Sequence, residues 1–158
     1  MVQAVYLYSL GRYVEWPKAA FAEASSPFVI GIVGEDPFEG SLEGIAARKT
    51  IQGRKIEIRR FNSLKAYDQA CQILFVSHSV PADQQAAVIE KTKGKPVLVV
   101  GATPGYAKRG AVANFVAEGD RISIEINVDA ARRSQLRMDA KLLSLAKLVG
   151  ASPADAND

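Results

Sequence analysis

The chain is poor in the side chains from which reactive centres are usually built. Among its 158 residues there is one cysteine, Cys71, one histidine, His78, and one tryptophan, Trp16. A lone cysteine cannot form an intrachain disulfide, and one histidine beside one cysteine is too little for a zinc site. No apolar run approaches the roughly 20 residues needed to span a bilayer; the longest, such as Val97-Leu-Val-Val100, are strand-sized. An excess of one charge is also missing. The 20 basic and 17 acidic residues leave a net charge of +3, too even to argue for nucleic acid, and no DNA- or RNA-binding motif accompanies the basic clusters. These clusters, Arg54 to Arg60, Lys108-Arg109 and Arg132-Arg133-Arg137, are expected to be solvated faces. Met1 runs directly into a helical pattern with no basic-then-apolar leader. The expectation is either a cytoplasmic protein or a mature chain from which a leader has been removed.

What is present is a globular composition, with 48% apolar and 23% charged residues, in a length that suits one domain. The chain opens on an aromatic helix. Val2, Val5, Tyr6, Leu10 and Tyr13 recur at helical spacing and are the expected core face. Trp16-Pro17 ends it, because Pro17 lacks an N–H and biases Trp16 away from helical backbone. Phe28–Val33 is apolar on both faces, as a central strand is. Asp36-Pro37 reads as N-cap and first helical residue of a helix carrying Phe38, Leu42, Ile45 and Ala46. Lys55–Arg59 alternates like a half-exposed strand. A short helix over residues 62–70, a strand Ile73–Val76, a helix from Pro81 to Lys91 and a strand Pro96–Val100 follow. Strands alternating with helices are the pattern of parallel strands joined by crossovers.

After Val100 the pattern changes. Ala111–Ala117 and Arg121–Val128 flank Glu118-Gly119-Asp120, a hairpin whose second arm alternates strictly. Helices are expected at Ala130–Ser134 and Ala140–Val149, the latter capped by Asp139 and carrying Leu142, Leu145, Ala146 and Val149. The whole reads as a single three-layer α/β domain over residues 1–150. Its mixed sheet has about six strands, four mainly parallel plus a C-terminal hairpin, with helices on both faces and a tail at 151–158.

Ligands of open α/β sheets gather at the carboxyl ends of strands. Those ends carry Glu35, Ser77, His78, Thr103 and Tyr106, the candidate ligand-binding residues. Ser77-His78-Ser79 lacks the Gly-x-Ser-x-Gly elbow of a hydrolase. Gly101-x-x-x-Gly105 is neither a Walker loop nor a dinucleotide fingerprint. No catalytic residue, metal site or cofactor is therefore expected. Tyr6, Tyr8 and Tyr13 are candidates for a partner or dimer surface, Tyr8 because it lies off the expected core face.

An ordered series of short motifs carries a family resemblance over about Val5 to Val149. It comprises Val14-Glu-Trp-Pro17, Phe28-Val-Ile-Gly-Ile-Val-Gly34 with Asp36-Pro37-Phe38, and Cys71 leading into Ile73-Leu-Phe-Val-Ser77. Pro96-Val-Leu-Val-Val-Gly101, Pro104-Gly105-Tyr106-Ala107, Gly110 to Val116, Ile124-Glu-Ile-Asn127 and Leu142-Leu143 with Leu145-Ala146 complete it. In this order they resemble the YfiR-like (HmsC-like) domains of bacterial envelopes. Three positions depart from the family pattern: Ala102 stands where an acidic or polar residue is common, Asp139 where Ser is usual, and Cys71 has no partner for the disulfides of some relatives. The resemblance implies a periplasmic, non-catalytic regulator that controls an inner-membrane diguanylate cyclase by protein contact, with a homodimer and a small-molecule ligand as further expectations. The alternatives are a solute-binding sensor module of a histidine kinase system and a small hydrolase or transferase.

Overall fold

In a computed structural model, which describes residues 2–63 and 71–149, the chain builds an eight-stranded mixed sheet in the order Lys147–Val149 (β10), Arg121–Asn127 (β8), Ala113–Glu118 (β7), Leu98–Gly101 (β6), Ile73–Val76 (β5), Phe28–Val33 (β2), Arg54–Phe61 (β4) and Thr50–Ile51 (β3). The centre is made by β2 (Phe28–Val33), β5 (Ile73–Val76) and β6 (Leu98–Gly101), with every residue buried. These strands are parallel: β2 pairs with β4 (Arg54–Phe61) and β5, and β5 with β6. Strands apolar on both faces need cover on both faces. One face carries Phe28, Ile30, Ile32, Phe75, Leu98 and Phe115 under helices α1 (Val2–Tyr13), α2 (Ser41–Arg48) and α5 (Ala140–Leu145). The other carries Val29, Val33, Leu74, Val76 and Val99 under α3 (Ala82–Thr92). The hairpin β7 (Ala113–Glu118) and β8 (Arg121–Asn127) extends the sheet, β7 lying parallel to β6. No described helix is long and apolar enough to cross a membrane.

The sheet exceeds the expected six strands through short, locally unsigned pairings. β3 (Thr50–Ile51) forms an antiparallel hairpin with the start of β4; Gln52 and Gly53 at its turn both have positive φ. β1 (Val14–Glu15) pairs antiparallel with β9 (Arg137–Met138) as a separate ribbon. The expected helix Ala140–Val149 stops at Leu145. Lys147–Val149 becomes β10, parallel to β8 at Glu125–Asn127. The unpaired backbone of a sheet edge offers these residues partners that an exposed last helical turn would leave to water.

Two helix readings need correction. Leu10 is on the core face of α1 as expected, but the residues buried beside it are Ala4, Leu7 and Gly11 rather than Val5, Tyr6 and Tyr13; Val5 is 48% exposed, and the Val2 side chain lies outside the described residues. The small residues let the helix approach the sheet. Tyr6 and Tyr13, apolar in body and polar at the tip, flank that contact instead of forming it. α2 begins at Ser41 behind Gly40 in left-handed conformation (φ 83°), not at Asp36. The Asp36 carboxylate instead accepts the Phe38 N–H at 2.7 Å, closing a local Asx turn that competes with helix. The helix expected over 62–70 falls mostly on residues 64–70, and with the tail 151–158 it lies outside the described residues.

The opening segment is tied to the sheet by one buried polar residue. Gln72 accepts the Val29 N–H and donates to the Ala20 carbonyl, both at 2.7 Å. Its own carbonyl accepts the indole N–H of Trp16 at 3.1 Å, whose ring meets Phe28 edge-on with centroids 5.0 Å apart. The loop after Pro17 is held by Arg54, which lies 3.7 Å over the Phe21 ring and donates to the carbonyls of Glu23, Ala24 and Ser26.

Candidate functional site

Register brings the carboxyl ends of the central strands into line. Val33 pairs with Val76, and Val76 with Gly101, so Gly34-Glu35, Ser77-His78 and Ala102-Thr103 leave the same edge of the sheet. At the β2 and β5 ends, Ser77 is fully buried. Its hydroxyl accepts the Ser79 N–H at 3.3 Å, and the Ser79 hydroxyl accepts the Glu35 N–H at 3.0 Å. Gly34 allows the two turns to touch: its φ is 89°, and a Cβ there would stand 2.8 Å from both Ser79 Oγ and Val80 Cγ2. A depression of about 430 Å³ opens at this point, lined by Val33, Gly34, Glu35, Asn62, Ser79 and Gln84 among others. Beside it, Arg60 pairs with Asp36 at 2.6 Å and also with Glu43.

At the β6 end the chemistry is closed rather than open. Tyr106 is 1% exposed. Its hydroxyl donates to the Gln85 carbonyl at 2.7 Å, and its ring lies against Gly101. Burial pushes the Tyr106 phenol well above its ordinary value, opposed in part by the Arg109 guanidinium, which sits 5.6 Å from the ring centroid. The Gln85 amide donates to the Thr103 hydroxyl at 3.0 Å and to the Val80 carbonyl at 2.9 Å. Asn114 donates to the Thr103 carbonyl at 2.8 Å, and its own amide oxygen is buried without a partner.

The five strand-end residues thus fall into separate groups. Glu35 and Ser77 are joined through Ser79, and Thr103 and Tyr106 through Gln85. His78 is exposed and lines neither group. The first turn of α3 connects the groups, since Gln84 lines the depression while the adjacent Gln85 holds Thr103. Ser79, Gln84, Gln85 and Asn114 escaped sequence reasoning. Gln85 carried a signal: it stands at helical spacing with Val88 and Thr92, the other buried residues of α3. Among the described residues no cluster of three His, Cys, Asp or Glu side chains could hold a metal.

The N-terminal tyrosines are all partly buried against the main core. Tyr6 donates its hydroxyl to the Ile122 carbonyl at 3.3 Å. Tyr8 and Tyr13 flank the exposed Arg12, whose guanidinium lies 5.7 and 5.4 Å from their ring centroids. Two further apolar side chains stand well exposed on the C-terminal side of the fold, Leu145 at 80% and Leu148 at 57%.

Comparison with known proteins places this architecture. The model of the YfiR/HmsC-like family matches residues 1–147, nearly the whole chain, and no curated protein matches. The chain belongs to the YfiR/HmsC-like family.

Proposed function

We propose that this chain is a non-catalytic periplasmic regulator that restrains a membrane-bound diguanylate cyclase by direct contact. The observation that carries the reading is the family match over residues 1–147. The inventory of the strand-end groups agrees with it. Their polar side chains are engaged within the fold, Gln85 donating to the Thr103 hydroxyl and Asn114 to the Thr103 main-chain carbonyl.

Contact with the partner, or with a second copy of the chain in a homodimer, is assigned to the outer side of α1, where Tyr8 and Tyr13 hold Arg12 and Val5 is half exposed. Tyr6 supports this side from the core. Arg and Tyr are over-represented among residues that dominate binding energy. A pull-down from detergent-solubilised envelope, with captured proteins identified by mass spectrometry, tests the reading. Recovery of a diguanylate cyclase by the wild-type chain, lost with Arg12→Glu, is the expected result. Recovery of no membrane signalling protein overturns it.

A second reading is a solute-binding sensor module, and the depression of about 430 Å³ at the ends of β2 and β5 favours it. In either case the small ligand is assigned to that depression. Glu35 supplies the direct contact, and Ser77, Thr103 and Tyr106 hold the surrounding loops in place. The test is a thermal-shift screen of periplasmic solutes on wild type and Glu35→Gln. A stabilising solute whose effect disappears in the variant supports the assignment; one whose effect persists contradicts it.

A further inference from the structure

At the far edge of the sheet, α1, β8 and α5 enclose a second groove of about 390 Å³, within the range of about 300–1,000 Å³ common to small-molecule sites. Its walls include Tyr6, Tyr13, Ile122, Ile124, Leu142 and Leu145. The groove exists because α5 ends at Leu145 and β10 pairs only with Glu125–Asn127, leaving the stretch from Arg121 to Ile124 at the sheet edge.

An open edge ordinarily invites a peptide strand. Here the Tyr6 hydroxyl already occupies the Ile122 carbonyl, which disfavours strand addition and leaves the apolar walls as the binding feature. Charge then selects the ligand. Glu118 lines the groove but is ion-paired with Lys147. Arg121 and Lys141 also line it; both are exposed, and neither has a carboxylate partner among the described residues. Apolar walls with uncompensated positive charge suit an apolar chain that ends in an anion.

We propose that this groove binds a free medium-chain carboxylic acid, its acyl chain along Ile122, Ile124 and Leu145 and its carboxylate at Arg121 and Lys141. The site lies apart from the strand-end depression and borders the α1 contact surface at Tyr6 and Tyr13, but its occupancy is read on the isolated chain, so failure of the regulator reading would leave it standing.

The test is calorimetric titration of the purified chain with decanoate below its micellar concentration, beside decyltrimethylammonium as a probe of equal chain length and opposite charge. Expected are saturable one-to-one binding of decanoate and no saturable binding of the cation. An Arg121→Glu/Lys141→Glu double variant should weaken decanoate binding by at least about tenfold, since like charges then face the carboxylate. Its circular dichroism should stay unchanged, because both side chains are exposed. Leu145→Asp, also at an exposed position, should weaken binding independently. Co-sedimentation with phosphatidylglycerol vesicles separates a free acid from a lipid surface, and no sedimentation is expected. Absence of saturable decanoate binding, equal binding of the cation, binding indifferent to the double variant, or vesicle binding in its place would each overturn the proposal.

Discussion

Replacing Gln72 with Leu should uncouple the opening segment from the sheet at a cost that follows from the geometry. Gln72 is 6% exposed, and its amide makes two hydrogen bonds of 2.7 Å, from the Val29 N–H and to the Ala20 carbonyl. Leu has nearly the volume of Gln, so the cavity contribution is small. Val29 is buried, and its stranded N–H cannot turn to water, at a cost of about 1–3 kcal/mol. Ala20 is only partly buried, so its carbonyl can rehydrate and the net loss there is about 0.5–1.5 kcal/mol. The sum is about 2–4 kcal/mol, a fall in melting temperature of about 5–15 °C for a domain of this size. Urea denaturation monitored by Trp16 fluorescence reads it directly, because the indole donates to the Gln72 carbonyl. A loss below about 0.5 kcal/mol, the level of an ordinary surface substitution, would refute the claim that this side chain ties the segment at Ala20 to β2.

Gly101→Ala should destabilise by about 1–3 kcal/mol or more, because the added methyl would fall within the buried Tyr106 ring; unchanged stability in urea would contradict that packing. The Tyr106 phenol has its folded pKa raised by burial, so its stabilising contribution is complete below the ordinary value of 10.0 and is lost as pH rises above it, where the unfolded chain ionises first. Stability measured above pH 10 should therefore fall less steeply in Tyr106→Phe than in wild type, starting from a lower plateau through the lost bond to Gln85. The Lys147 ammonium holds the Glu118 carboxyl below its ordinary range; Lys147→Ala should return it upward, as read by NMR titration, with little change in stability because both side chains are largely exposed.

The centre of the fold was legible because burial on both faces leaves a run such as Ile73–Val76 little choice of residue, and because Ile122, Ile124 and Ile126 alternate without interruption. What escaped depends on long-range pairing. Thr50–Ile51, Val14–Glu15 and Lys147–Val149 are too short to carry a period, and they become strands only where a partner edge stands beside them. The face of α1 was misread for a related reason. Tyrosine counts as apolar in a helical pattern, yet its hydroxyl draws it to the margin, while Ala4 and Gly11 mark the close contact by their small size. At the strand ends, chain order located the loops correctly in line with one another. Their division into two hydrogen-bonded groups rests on Gln85, Asn114 and Ser79, whose partners lie on other elements. Local pattern cannot show a polar residue's distant partner, although the helical spacing of Gln85 with Val88 and Thr92 marks it as buried.

The most direct test of the regulatory reading is the intracellular cyclic di-GMP level of the source bacterium with the protein present, deleted, and restored as wild type or as Arg12→Glu. If the chain restrains a diguanylate cyclase through the outer side of α1, deletion raises the level, wild type returns it to baseline, and the equally abundant Arg12→Glu chain does not. A cyclic di-GMP level that is the same with and without the protein would contradict the account.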